Sequence, residues 1–135
     1  LSVSSSPSEN FLMVTYKLGI SPYKKSLQNL RIGDSIQSSH PAGTVVIDPS
    51  SPLVMMAGGI GIAPYRSMIK WALDRKLTLP ITLIYSNSNS DFIFKKELDK
   101  WQEKLPNLKI HYINTNKNSR LDEQKISNFK FQILN

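Results

Sequence analysis

Three glycines and a proline lie where an apolar strand leads into a helix, in the stretch MMAGGIGIAPYRSM at residues 55–68. Glycine permits positive φ and lets a ligand approach the main chain closely. Pro64 suits the first position of a helix, where a missing N–H costs nothing. The residues before it offer no side-chain oxygen, so the free N–H groups suit a bound phosphate. The stretch therefore predicts a phosphate site, with close packing of helix on strand as the alternative. Its spacing is neither GxGxxG nor a Walker loop.

Strands and helices alternate after a Pro/Ser cluster at residues 48–52, which we interpret as a domain boundary. Apolar runs predict strands, and spacings of three and four predict helices. The predicted strands are 53–57, 81–85, 108–113 and 130–134. The first predicted helix begins at Pro64 and has an apolar face over 65–73, the second has an apolar face over 94–105, and the third is a short helix near 121–129. Strands that are apolar on both faces indicate a parallel sheet covered on two sides, typical of the α/β class.

Residues 1–50 read differently, as short β-strands separated by glycine and proline turns. Strands are predicted within 11–18, 31–39 and 44–47, which favours a piece of a barrel or sandwich. Between the first two, residues 21–30 predict one helical turn with Ser21 as its cap. The chain thus divides into 1–50 and 51–135.

The composition excludes several classes of function. Without cysteine there is no disulfide framework and no thiolate-bound iron–sulfur cluster within the 135 residues. No apolar run approaches a membrane span, the N-terminus does not read as a signal peptide, and we expect a cytoplasmic location. The net charge of +7 favours an acidic partner or a phosphate-bearing ligand, or is simply a solvated basic surface. Scattered lysines and arginines argue against nucleic acid.

Four motifs occur in the order found in one enzyme family. AGGIGIAPYRSM resembles the pyrophosphate-binding turn of the ferredoxin–NADP reductase-like flavin oxidoreductases, and ITLIYSNSNSDFIFKKEL resembles the next unit of their nucleotide domain. LSVSSSP resembles the tail of their flavin motif, and SPYKKSLQNLRIGDSIQSSHPAG resembles the segment that follows it. The resemblance implies a Rossmann-like NAD(P)-binding domain preceded by the C-terminal part of an antiparallel, FAD-binding β-barrel. His40 occupies the position at which the family's G-P-x-G turn usually has glycine, and we interpret it as a tolerated loop residue.

The resemblance also implies an activity. NAD(P)H passes hydride to the flavin, usually FAD, and the flavin passes electrons to an acceptor, for example an iron–sulfur or haem protein. Leu1 falls at the position that packs on the flavin ring, and Ser2 at the catalytic hydroxyl near the flavin N5. Gly58, Gly59, Gly61, Ala63 and Pro64 match the nucleotide pyrophosphate turn, beside Ile62. The other positions assigned to cofactor binding are Val3, Ser4, Val14, Thr15, Tyr16, Lys24, Arg66, Ser86, Asn87 and Ser88.

Some of these assignments leave alternatives open. Lys24 reaches a diphosphate or is solvated, and Arg66 helps bind phosphate or caps a surface groove. The stretch Asn87–Ser90 has no arginine for a 2′-phosphate, which favours NADH unless Lys95 or Lys96 folds back.

The family's flavin-binding arginine would fall before Leu1, and its C/S-G-P turn after Asn135. We therefore expect the isolated chain to bind flavin poorly and to be inactive or nearly so. The alternative function is that of a non-catalytic nucleotide-binding module, either regulatory or part of an electron-transfer subunit. A more remote alternative is a hydrolase using Ser86, Asp91 and His111, although their spacing matches no known acid–base arrangement.

Overall fold

Two small groups of strands and the helices beside them make up this computed structural model, which describes residues 1–40, 42–118, 122–124 and 126–127. In chain order the elements are β1 (Ser2–Val3), β2 (Val14–Thr15), α1 (Pro22–Gln28), β3 (Leu53–Gly58), a 3₁₀ turn (Gly59–Gly61), α2 (Ile62–Asp74), β4 (Ile81–Asn87), α3 (Lys95–Lys104), β5 (Leu108–Asn114) and α4 (Thr115–Asn118).

The main sheet contains three parallel strands in the order β3-β4-β5. Leu53 pairs with Ile81, and Ile81 in turn with Leu108, so the strands begin level with one another. Their carboxyl ends are also level, because Gly58 lies opposite Ser86. The parallel α/β sheet predicted from the apolar runs is confirmed.

The core lies on one face of this sheet, under α2 and α3. Met55 and Ala57 point into it from β3, and Ile69 and Leu98 meet them from the two helices. The prediction of cover on both sides is wrong for β3 among the described residues, since Val54 is 50% exposed and Met56 43%. The strand order explains this, because two successive crossovers in the same direction and of the same hand place both helices on one face.

A Schellman motif ends α2. Lys76 N–H donates to the Leu73 carbonyl at 3.0 Å, and Leu77 N–H donates to the Ala72 carbonyl at 2.9 Å. Lys76 occupies the left-handed position, with φ of 52°, where most helices place glycine. The motif turns the chain back toward β4.

Before the sheet, β1 and β2 form an antiparallel pair of two residues each, with Ser2 opposite Thr15. Helix α1 follows, and the predicted Ser21 cap is confirmed by a 3.4 Å hydrogen bond from Lys24 N–H to the Ser21 hydroxyl. The strands predicted within 31–39 and 44–47 are absent from the described residues there, and the strand predicted at 11–18 shrinks to β2. A strand needs a neighbouring ladder, and β1 offers only two residues to pair with.

The C-terminal predictions fall largely outside the described residues. Within the helix predicted at 121–129, Ile126 N–H donates to the Asp122 carbonyl at 3.0 Å, a helical spacing. The strand predicted at 130–134 lies outside them. In the part of the chain that is described, no helix has the length and apolar character needed to cross a bilayer.

Candidate functional site

The turn between β3 and α2 is the first part of the candidate site. Gly58 ends the strand in an extended conformation, with φ of −120° and ψ of 120°. Gly59 then takes φ of 50°, a left-handed conformation that costs other residues about 1–2 kcal/mol. The 3₁₀ turn runs directly into α2 without an intervening loop. Gly59 is therefore explained by backbone geometry.

The N-terminus of α2 has no capping side chain, as predicted, since Gly61 stands at the cap position and no side-chain hydrogen bond is formed there. Part of the expected donor set is nevertheless in use, because Ile62 N–H donates to the carbonyls of Gly59 and Ile60. The prediction that Pro64 begins the helix is wrong, since α2 begins at Ile62 and Pro64 is its third residue. The 3₁₀ turn extends the helix backward, and proline is still tolerated in the first turn, where its N–H would have no intrahelical partner.

Gly61 requires a different explanation from Gly59. Its φ of −61° and ψ of −8° are open to any residue. A Cβ atom added there would meet nothing within 4 Å among the described residues. Close packing of helix on strand therefore does not account for this glycine. Among the described residues, open space therefore lies directly at an uncapped helix N-terminus.

The end of β4 provides the second wall of the site. Ser86 lies opposite Gly58, and its hydroxyl donates to the Ala57 carbonyl at 3.1 Å. The Asn87 side chain donates to the Asn89 side-chain oxygen at 2.9 Å and to the Asp91 carbonyl at 2.8 Å. The Asn87 side-chain oxygen also accepts from Ser88 N–H at 3.0 Å, so the loop is held by its own polar groups. The two predicted nucleotide segments therefore meet at one edge of the sheet.

Lys95 does not fold back toward this loop. Its ammonium donates to Asp99 at 2.6 Å and lies 4.3 Å from the ring centre of Tyr112. Tyr112 in turn donates to Asp99 at 2.8 Å, and burial with this hydrogen bond raises the pKa of Tyr112. This arrangement removes one of the two lysines that would favour a 2′-phosphate.

Arg66 lies in a site unlike the one predicted for it. The side chain is only 3% exposed, and protein oxygens accept all five of its N–H groups. Nε donates to Glu97 at 2.7 Å, Nη1 donates to the Ser4 carbonyl at 2.8 Å and to Glu9 at 2.9 Å, and Nη2 donates to Glu9 at 3.2 Å and to Glu97 at 3.3 Å. The predicted contact with phosphate is therefore wrong, because no donor is left to make it.

The residues assigned to the flavin fall into an exposed and a buried group. Leu1 is 64% exposed, and Ser2 and Val3 are exposed on β1. Ser4 is fully buried, with its hydroxyl donating to the Met13 carbonyl at 3.1 Å and 2.6 Å from the Thr15 hydroxyl. The assignment of Ser4 to the cofactor conflicts with this burial, because the hydroxyl is used within the fold.

Three other flavin-side positions are half-buried, namely Val14, Tyr16 and Lys24. The Lys24 side chain lies across Gly19, where an added Cβ would come within 2.9 Å of its Cδ. The Lys24 side chain therefore lies against the main chain at Gly19, and its assignment to a diphosphate stays a prediction.

Two residues of the hydrolase alternative, Ser86 and His111, are not directly opposite each other in the sheet. Ser86 donates to a backbone carbonyl, and its neighbour on β5 is Ile113, whereas His111 lies opposite Ile84. Burial and the nearby Lys109 lower the pKa of His111. In the described ranges no group of three or more acidic, histidine or cysteine side chains could hold a metal ion.

A parallel sheet whose first strand leads through a glycine turn into an uncapped helix, beside the polar end of the next strand, defines an α/β nucleotide-binding domain. Comparison with protein families agrees, since the model of the oxidoreductase NAD-binding domain matches residues 55–132, more than half of the chain. This chain belongs to that family.

Individual relatives are reductases and flavohaemoproteins. Flavohemoprotein A of Dictyostelium discoideum is 27% identical over 95% of this chain, and NADH-cytochrome b5 reductase 1 of the same organism is 36% identical over 67% of it. This chain spans about a third of the length of each.

Among solved structures, a variant of ferredoxin-NADP+ reductase from Plasmodium falciparum in complex with 2'P-AMP superimposes with a TM-score of 0.83. It is 28% identical, and the match covers 99% of this chain and 60% of that one. The predicted fold class and family resemblance are therefore confirmed, while the division at residue 50 stays a prediction.

Proposed function

We propose that this chain is the nucleotide-binding part of a flavin reductase that passes hydride from NAD(P)H to FAD and then passes electrons to an acceptor. The observation that carries the proposal is the open space at Gly61, beside an uncapped helix N-terminus. A diphosphate placed there would meet the positive end of the α2 dipole and main-chain N–H groups. The same edge carries Ser88, which is exposed and could bind a ribose hydroxyl.

The flavin side fits the proposal through β1. Leu1 and Val3 both expose apolar side chains, which suits packing on a flat ring system. When bound, the nicotinamide supplies the hydride and the flavin accepts it. The contribution of this chain is to bind and orient the two, with Gly58–Ala63 on the nucleotide side and Leu1–Val3 on the flavin side.

The structure and the sequence favour one of the two nucleotides and one type of electron acceptor. NADH is favoured over NADPH, because the loop at residues 87–90 contains no cation and Lys95 is held by Asp99. The net charge of +7 supports an acidic acceptor protein, of iron–sulfur or haem type. The relatives named as cytochrome b5 reductase and flavohemoprotein support the haem type. The cytoplasmic location expected from the sequence is retained as a proposal, which cell fractionation would test.

Anaerobic reduction tests the proposal in the full-length protein. We expect a yellow holoprotein whose flavin colour is bleached by NADH, and more slowly or at higher concentration by NADPH. If the nucleotide binds and the flavin stays oxidised, the chain is a non-catalytic nucleotide-binding module. If the protein is colourless and neither nucleotide raises its melting temperature, the proposed function is wrong.

A further inference from the structure

A buried cluster connects the two cofactor sides of the molecule, and we name it the Arg66 clamp. It consists of Arg66 together with Ser4, Glu9 and Glu97. Arg66 lies five residues after Gly61, in the second turn of the helix whose N-terminus forms the nucleotide site. Ser4 directly follows β1, the strand that carries the flavin-side residues.

The guanidinium of Arg66 is enclosed by its hydrogen-bond partners and by two aromatic rings. Besides the five hydrogen bonds, the ring of Phe94 lies 5.2 Å from the guanidinium carbon and that of Trp101 lies 5.1 Å from it. Glu9 is the inner partner, with a side chain 11% exposed, whereas Glu97 is 45% exposed. The pair with Glu9 is therefore the one least screened by water.

Folding stability alone is a weak reason for such a cluster. A buried ion pair can often be replaced by apolar residues of similar volume without loss, because removing the charges from water offsets much of their attraction. A rigid guanidinium fork with two carboxylates does fix distances and angles. The clamp is therefore better suited to setting geometry than to adding stability.

The Arg66 clamp fixes the position of β1 relative to α2. Arg66 holds the Ser4 carbonyl, and the adjacent Ser67 hydroxyl donates to the Ser5 carbonyl at 2.7 Å. Glu9 closes the segment by accepting from Ser6 N–H at 2.8 Å. Residues 4–9 are thus attached as one unit to the helix that begins at the nucleotide site.

We propose that Arg66 is a positioning residue, which through Glu9 fixes the flavin-side strand against the nucleotide-side helix so that hydride donor and acceptor stay within reach. The inference rests on the proposed function. It assigns to Arg66 a role in the rate of hydride transfer and none in binding the nucleotide.

The test compares Glu9→Gln and Arg66→Lys with the parent in the full-length, flavin-loaded protein. Glu103→Gln, on the exposed side of α3, is the matched control. Three quantities are measured for each: the rate of flavin reduction by NADH, the Kd of NAD+, and hydrogen exchange of the amides of residues 4–9. We expect the two clamp variants to be reduced at least tenfold more slowly, with a Kd within threefold of the parent and faster exchange. The control should match the parent in all three.

Other outcomes separate the two proposals. If the clamp variants remain folded and are reduced at the rate of the parent, Arg66 is only structural and the inference is wrong. Unchanged exchange in residues 4–9 would also overturn it, whether or not the flavin is reduced. A parent protein that NADH does not reduce contradicts the proposed function and, with it, the role of the clamp in hydride transfer. If residues 4–9 of the clamp variants then exchange faster, Arg66 only attaches this segment to α2.

Discussion

Replacing Gly61 with alanine should separate ligand binding from folding. The backbone there is already in the right-handed helical region, and the added methyl group meets nothing within 4 Å in the part of the chain that the structure describes. The methyl group would nevertheless occupy the space in which we place the diphosphate. Gly59, two residues earlier, is the contrasting position, because its φ of 50° is a left-handed conformation in which alanine is strained.

The two substitutions have opposite expected effects on stability. Gly61→Ala restricts the unfolded chain without native strain, so the free energy of unfolding should rise by about 0.4–1 kcal/mol. Gly59→Ala should lower it by about 1–2 kcal/mol, the cost of a left-handed alanine. For the nucleotide, losing one hydrogen bond to a charged phosphate costs about 1.5–3 kcal/mol. Gly61→Ala should therefore weaken NADH binding roughly 10- to 150-fold.

Urea unfolding and calorimetric titration with NADH measure the two quantities on the same samples. A Gly61→Ala protein that is as stable as the parent and binds NADH with equal affinity would refute the placement of the diphosphate. A loss of stability above about 1 kcal/mol would show instead that the glycine is required by the fold, contrary to its open surroundings.

Three further predictions concern other parts of the chain. Lys76→Gly should raise the free energy of unfolding by about 1 kcal/mol, because glycine relieves the left-handed strain at the end of α2; no gain in urea unfolding would contradict this. The hydrogen bond from Arg66 lowers the pKa of Glu9 from its ordinary 4.5. The ionised Glu9 therefore contributes its full stabilisation of the fold above pH 4.5, and this stabilisation is lost as the pH falls through the lower pKa of the folded state. Glu9→Gln should accordingly lower stability at neutral pH and flatten its decline below pH 4.5, and parallel pH curves for variant and parent would count against the pairing. Ser88→Arg should shift the ratio of Kd values toward NADPH at least tenfold, about 1.4 kcal/mol, and an unchanged ratio would show that this loop does not face the 2′ position.

The sheet and its glycine turn were predictable because their signals are local. Apolar runs such as residues 81–85 identify buried strands, and glycines between a strand and a helix indicate where a ligand meets the sheet. The missing cap at Gly61 was readable from the absence of side-chain oxygens nearby. The exact start of α2 was not, because a 3₁₀ turn and a helix share the same residue preferences.

The role of Arg66 could not be read from the sequence. Its partners Glu9 and Glu97 lie 57 and 31 residues away, and no spacing rule connects them. A family motif placed the arginine next to a phosphate site, and this suggested the wrong ligand. Only the tertiary structure shows that its donors turn toward β1 and α3.

The strands predicted in residues 31–47 failed for a related reason. Their β-forming residues are present, for example at Val45 and Val46, but both side chains are exposed and no ladder forms there. β-propensity measures fit to neighbouring strands more than an intrinsic backbone preference. Without partner strands among the described residues, the pattern alone does not make a sheet.

The most direct test of the central claim is an amide-shift titration of the labelled protein with NADH, inorganic pyrophosphate and adenosine. We expect that NADH and pyrophosphate both shift the amides of Gly59, Gly61 and Ala63, that pyrophosphate competes with NADH, and that adenosine leaves these three amides unmoved. If NADH binds and these amides do not respond, while residues elsewhere do, then the diphosphate does not lie at the start of α2.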